Sequence, residues 1–115
     1  MSADQPTVIE ATPDDVAALL TARTKDQAGR ELGVFNDDTR PTYEQVLTRI
    51  EIARELVFAG LGPVPDACRS TGEAVVALRA AMLTEAGFWP EQTQSNQSTY
   101  ERLREMYLEA RAGLI

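Results

Sequence analysis

Three of the Ser or Thr residues that stand three positions ahead of a Glu or Gln in this chain share the same sequel. Each pair is followed, roughly four to five helical turns later, by the tripeptide Ala-Gly-apolar. The pairs are Thr42/Gln45 with Ala59-Gly60-Leu61, Ser70/Glu73 with Ala86-Gly87-Phe88, and Ser98/Glu101 with Ala112-Gly113-Leu114. Such an opening is a capping box: the hydroxyl accepts from a backbone N–H of the first turn, and the Glu or Gln side chain accepts from the cap's own N–H. Such a closing is a Schellman stop, in which Gly turns left-handed and the next apolar residue folds back onto a side chain of the last turns, here Leu56, Leu83 and Leu108. Six termini with matching chemistry predict helices over about 43–59, 71–86 and 99–112. A shorter helix opens at Thr12-Pro13-Asp14-Asp15, with Thr as cap, Pro where its missing N–H costs nothing, and carboxylates facing the positive helix end; it should end near Arg23.

The apolar periodicity agrees. Val16, Leu19 and Leu20 give the first helix a stripe. Tyr43, Val46, Leu47, Ile50, Ala53 and Val57 share one face of the second, opposite Glu44, Glu51 and Glu55. The third is apolar nearly all round through 74–78 and 80–83, so it is either the centre of the bundle or covered on its outer side by another subunit. The fourth carries Tyr100, Leu103, Met106, Tyr107, Ala110 and Leu114 along one stripe; its Glu and Arg residues alternate on the other, as on a solvated face. The expected fold is all-α, a small bundle of about four helices with a long ordered loop between the first and second. A chain of 115 residues with 43% hydrophobic and 25% charged side chains makes one domain over 1–115.

The connections differ in kind. Residues 1–11 read as an extended segment, 61–66 as a corner stiffened by Pro63 and Pro65, and 90–97 as a polar crossover. Residues 23–41 form more loop than a small domain usually carries, and loops of that length tend to be functional or disordered. Leu32, Val34 and Phe35 argue against disorder there, because a solvated loop gains nothing from exposing them.

Catalytic equipment is missing from the composition. With no His and one Cys, Cys68, no zinc site, Cys-His pair or Ser-His-Asp triad can be assembled, and no phosphate-cradling Gly-rich loop occurs. Asp37 and Asp38 are candidate metal ligands but lack the spaced oxygens of a calcium loop, and turn formation explains them more simply. The expectation is no enzyme, no cofactor and no bound metal. The net charge of −7 gathers in residues 1–38, which hold eight acidic against three basic side chains, and lacks the basic footprint that tight DNA binding requires. Lys25 is the sole Lys beside ten Arg, a bias that suits interfaces but that a GC-rich genome would also produce. The N-terminus has no secretory pattern, and residues 74–89 are interrupted by Arg79 and Glu85 and too short to span a bilayer, so no membrane partner is expected. Phe88 and Trp89 are the densest aromatic pair. Phe88 is expected to anchor the core, whereas Trp89 is either core or a partner's hot spot.

Three stretches in order, with helices between them, resemble a known family. They are Asp37-Asp38-Thr39-Arg40-Pro41-Thr42, Phe88-Trp89-Pro90-Glu91-Gln92, and Ser98-Thr99-Tyr100 with Leu103 and Tyr107. Together they look like the head-to-tail adaptors of long-tailed phages, the helical head completion or connector subunits below the portal, with greatest similarity to those of actinobacterial phages. The usual Tyr-Phe-Pro-Glu-Gln-like stretch stands here with Phe88-Trp89 as its aromatic pair.

The resemblance implies a structural virion protein, synthesised in the host cytoplasm and located in the neck at the portal vertex. It implies a homo-oligomeric ring, a dodecamer in the family, that docks on the portal protein and joins capsid to tail through a next neck or tail protein such as a stopper or tail terminator. DNA passes through the channel during packaging and ejection without sequence-specific binding, and negative charge near the lumen would keep it from sticking. Candidate interface residues are Leu32, Val34, Phe35, Asp37, Asp38 and Arg40 in the 23–41 loop, Trp89, and Leu114 and Ile115 at the C-terminus. The alternative is a small DNA-binding helical protein, terminase-like or regulatory, which would need a basic recognition helix.

Overall fold

The computed structural model describes residues 10–59, 66–89 and 99–113. Among them are four α-helices: α1 (Pro13–Leu19), α2 (Tyr43–Phe58), α3 (Arg69–Phe88) and α4 (Thr99–Ala112). Short 3-10 turns at Thr21–Arg23 and Asp66–Cys68 follow α1 and precede α3. The all-α bundle read from the sequence is the observed architecture.

Helix α3 is the spine. α1, α2 and α4 all pack against it, α1 also meets α2, and α4 meets neither. Its small residues Gly72, Ala77, Ala80 and Ala81, all buried, let neighbours approach closely, while Val75, Val76, Leu78 and Met82 fill the space between helices. Val46, Ile50, Ala53 and Val57 bury the predicted face of α2, and Leu103 and Tyr107 that of α4. Each Val, Leu, Ile or Met among them contributes about 1.5–3 kcal/mol by leaving water. The apolar girth of α3 is therefore used within one chain, and of its two possible explanations the central position is the observed one.

Two of the predicted termini have the expected chemistry. Thr42 caps α2 reciprocally, its Oγ1 accepting from Gln45 N–H at 3.3 Å while Gln45 Oε1 accepts from Thr42 N–H at 2.9 Å. Thr12 and Asp15 form the same box at α1. The Ser70/Glu73 box does not form. The 3-10 turn at Asp66–Cys68 runs directly into α3 at Arg69, so Ser70 already lies inside the helix, and the cap is Cys68 without a side-chain bond.

The Gly87 stop is corrected as well. α3 continues through Phe88, Trp89 N–H donates to Glu85 O at 2.9 Å, and Gly87 is not left-handed. At Gly113 the backbone is also not left-handed; its N–H donates to Ala110 O at 3.1 Å and Leu108 stays exposed. Gly60, Leu61 and the following corner, Ser98, the 90–97 crossover, Leu114, Ile115 and residues 1–9 lie outside the described residues.

Candidate functional site

The segment 23–41 is built rather than loose. Asp26 organises its first half: Oδ1 accepts from the Ala28 and Arg30 amides, both at 2.9 Å, and Oδ2 from Arg30 Nε at 2.8 Å. Gly29, at φ 81°, closes that turn, and Lys25 and Glu31 meet in a single antiparallel bridge. The Arg30 amide above all, then the Arg30 guanidinium and the Ala28 amide, hold the Asp26 carboxyl below its ordinary pKa, with burial opposing them. Thr24 ties the returning arm of the loop back: its carbonyl accepts from Leu32 N–H at 2.8 Å and its hydroxyl from Gly33 N–H at 2.9 Å.

A second knot holds the approach to α2. Asn36 Oδ1 accepts from the amides of Asp38 and Thr39, at 2.8 and 3.1 Å. The buried Thr39 hydroxyl accepts from Asn36 N–H at 2.9 Å and lies 2.7 Å from Pro41 O. Arg40 turns back onto the carbonyls of Thr39 and Asp37, at 2.8 and 3.2 Å. The turn chemistry is thus Asn36's, and the carboxylates of Asp37 and Asp38 are exposed. No group of three or more potential metal-ligating side chains gathers among the described residues.

Phe35 does not belong to an exposed surface. It is 3% exposed, inside the core cluster, because the two knots fold the loop over it. Leu32 and Val34, at 37% and 43%, remain on the solvent side. The same rigid segment therefore anchors one apolar side chain and displays two.

At the C-terminal end of α3 the loop meets the helix. Arg23 Nε and Nη2 donate to the two Glu85 carboxylate oxygens at 3.0 and 3.1 Å, and the Arg23 guanidinium lies 4.3 Å from the Trp89 ring centroid. Glu85 is 1% exposed, so that bidentate partner is what offsets the burial of its carboxylate. Arg49 of α2 reaches over Phe88 at 5.3 Å, and the Phe88 and Trp89 centroids are 6.0 Å apart. Both aromatics are half-buried. Trp89 is thus neither buried core nor a free knob: it is held in place by Arg23 with part of its surface open.

Sequence patterning did not single out Glu85 or Arg23. A lone Glu in an apolar run was the available signal, and it identifies a buried carboxylate without naming its partner, which lies 62 positions earlier. Of the candidate interface residues, the fold brings Leu32 close to Thr24, whose neighbour Arg23 carries Trp89. Asp37, Asp38 and Arg40 lie on the second knot, and Leu114 and Ile115 lie outside the described residues.

No family model, curated protein or solved structure matches this chain. Among the described residues no helix is long and apolar enough to cross a membrane.

Proposed function

We propose that this chain is a structural subunit of a phage neck, a head-to-tail adaptor that assembles as a ring below the portal, extends the DNA channel and connects capsid to tail. The starting point is the three sequence stretches that resemble that family. The observation that carries it physically is the 23–41 segment: two hydrogen-bonded knots make it rigid, yet it holds Leu32 and Val34 out in water. A preorganised apolar display lowers the ordering cost of docking. Trp89, fixed by Arg23 but still partly open, adds an aromatic anchor of the kind that dominates interfaces. The apolar girth of α3 gives little support, since neighbouring helices of the same chain cover most of it.

Direct DNA binding is less well supported. α4, the helix richest in Arg, alternates Arg with Glu and pairs Arg104 with Glu101 at 3.2 Å, which leaves no continuous basic face for a phosphate backbone. Electron microscopy of the purified chain mixed with its cognate portal tests the proposal: stoichiometric rings on the portal are expected, and a reproducible failure to associate would contradict it.

A further inference from the structure

α1 and α4 both lie on α3 without meeting each other, and the gap between them is a groove of about 400 Å³. Ala18 and Leu19 form one wall, Ala77 and Leu78 the floor, and Met106 the other wall. The groove continues toward the start of α4 as a second hollow of about 240 Å³ that shares Ala18, Leu19 and Met106. Two carboxylates, Asp15 and Glu73, also line the larger hollow, and no basic side chain among the described residues does. Asp15 is engaged by Thr12 in the cap of α1. Glu73 is half-buried and has no hydrogen bond or ion pair among the described residues. A carboxylate partly desolvated by apolar walls gains most from an incoming cation.

The chain itself carries the complement. Leu108 is two residues beyond Met106 in α4, about 200° around the helix at 3.6 residues per turn, so it faces away from the groove. It is 48% exposed. Arg104 lies one turn before it and Arg111 one turn after, and Arg111 has no hydrogen bond or ion pair among the described residues. α4 therefore contributes a groove wall on one side and, on the other, an apolar knob with Arg111 one turn beyond it, while Arg104 is already paired with Glu101 at 3.2 Å and Glu105 stands one turn before the knob.

We infer that the groove between α1 and α4 receives the outer face of α4 from a second copy of this chain, with Leu108 on the apolar floor and Arg111 against Glu73. The inference rests on the self-assembling reading above and names the surfaces that make the contact. Because groove and knob point in opposite directions, two copies cannot each fill the other's groove. The contact is head to tail, and each copy is left with one free groove and one free knob, the arrangement that generates rings or open filaments.

Charge reversal followed by mixing tests it. Glu73→Arg and Arg111→Glu should each weaken self-association, read by sedimentation velocity over a concentration series, by about tenfold or more. An equimolar mixture of the two should recover it to within about threefold of wild type, since each mutant then presents the complement the other needs. Circular dichroism checks that both variants keep their helices.

For association too weak to sediment, Cys68→Ser/Ala74→Cys/Ala112→Cys, which keeps Glu73, Leu108 and Arg111 and places its thiols beside them, should give a ladder of disulfide-linked multimers under mild oxidation. Wild-type association that survives both reversals, a mixture no better than its components, or oxidation that yields no ladder would each overturn the inference. Association through another surface would leave the ring proposal standing, with the groove open to the portal or a tail protein. A head-to-tail contact in a chain that never joins a portal would remove the adaptor proposal and leave this one.

Discussion

Arg23 and Glu85, one from the turn after α1 and the other near the end of α3, are joined by two parallel hydrogen bonds of 3.0 and 3.1 Å. With Trp89 lying across the guanidinium, the pair fastens the long loop to the central helix at its aromatic end. Arg suits this position because one planar group meets a carboxylate with its edge and a ring with its face, which a Lys ammonium cannot do.

Removing one partner strands the other. Arg23→Ala should destabilise the fold by about 3–5 kcal/mol, because the Glu85 charge would be left buried without a counter-ion. The double variant Arg23→Met/Glu85→Met should recover most of that loss, since similar-sized apolar side chains need no counter-charge. Urea unfolding of wild type and both variants measures this. A loss below about 1 kcal/mol for the single variant, as expected of an exposed ion pair, would show that the clasp does not hold the loop.

Gly87 separates two kinds of helix end. In a left-handed stop, Gly→Ala is costly; inside a helix, Ala is favoured by roughly 1 kcal/mol. Gly87 lies within α3, and an added Cβ would meet only the tip of the Arg49 side chain, at 3.0 Å. Gly87→Ala should therefore raise the unfolding free energy by about 0.5 kcal/mol, part of the helical gain being used to displace Arg49. A lower thermal midpoint would restore the Schellman reading at this site.

Much of this architecture was legible locally, and its departures have a common cause. The boxes at Thr12 and Thr42 formed because each Thr itself takes the extended backbone that a cap requires. At Ser70 the preceding 3-10 turn had already begun the helix. At Gly87, contacts of Phe88 with Arg49 and of Trp89 with Arg23 carried α3 onward. Side chains distant in sequence decided each case, and periodicity cannot see them. For the same reason Leu32, Val34 and Phe35 read alike as loop hydrophobes, although only Phe35 is folded under by the knots at Asp26 and Asn36.

Those three residues should behave differently on truncation. Phe35→Ala empties a core position and should cost about 3–5 kcal/mol, while Leu32→Ala and Val34→Ala should stay within about 0.5 kcal/mol of wild type. In assembly on the portal the order should reverse, with a Leu32→Ala/Val34→Ala double variant folding normally and joining poorly. Thermal melts together with portal binding test both halves; normal joining by the double variant would remove these residues from the interface.

Acid should loosen the 23–41 segment through Asp26. Its pKa is depressed in the folded chain, so its contribution is present above the ordinary Asp value of about 3.9 and is lost as pH falls through the depressed folded value. Asp26→Asn cannot make that transition. Thermal midpoints followed downward from neutral pH should fall less steeply for Asp26→Asn than for wild type. Parallel curves would mean that the Arg30 amide and guanidinium do not hold this carboxylate in solution.

The central claim is that the chain is built into a virus particle rather than acting beside one. On the proposed reading, quantitative mass spectrometry of purified virions of a phage whose genome carries this sequence tests this most directly. The account predicts the chain in the mature particle in fixed proportion to the portal protein; its presence in infected cells but absence from intact particles would contradict the account.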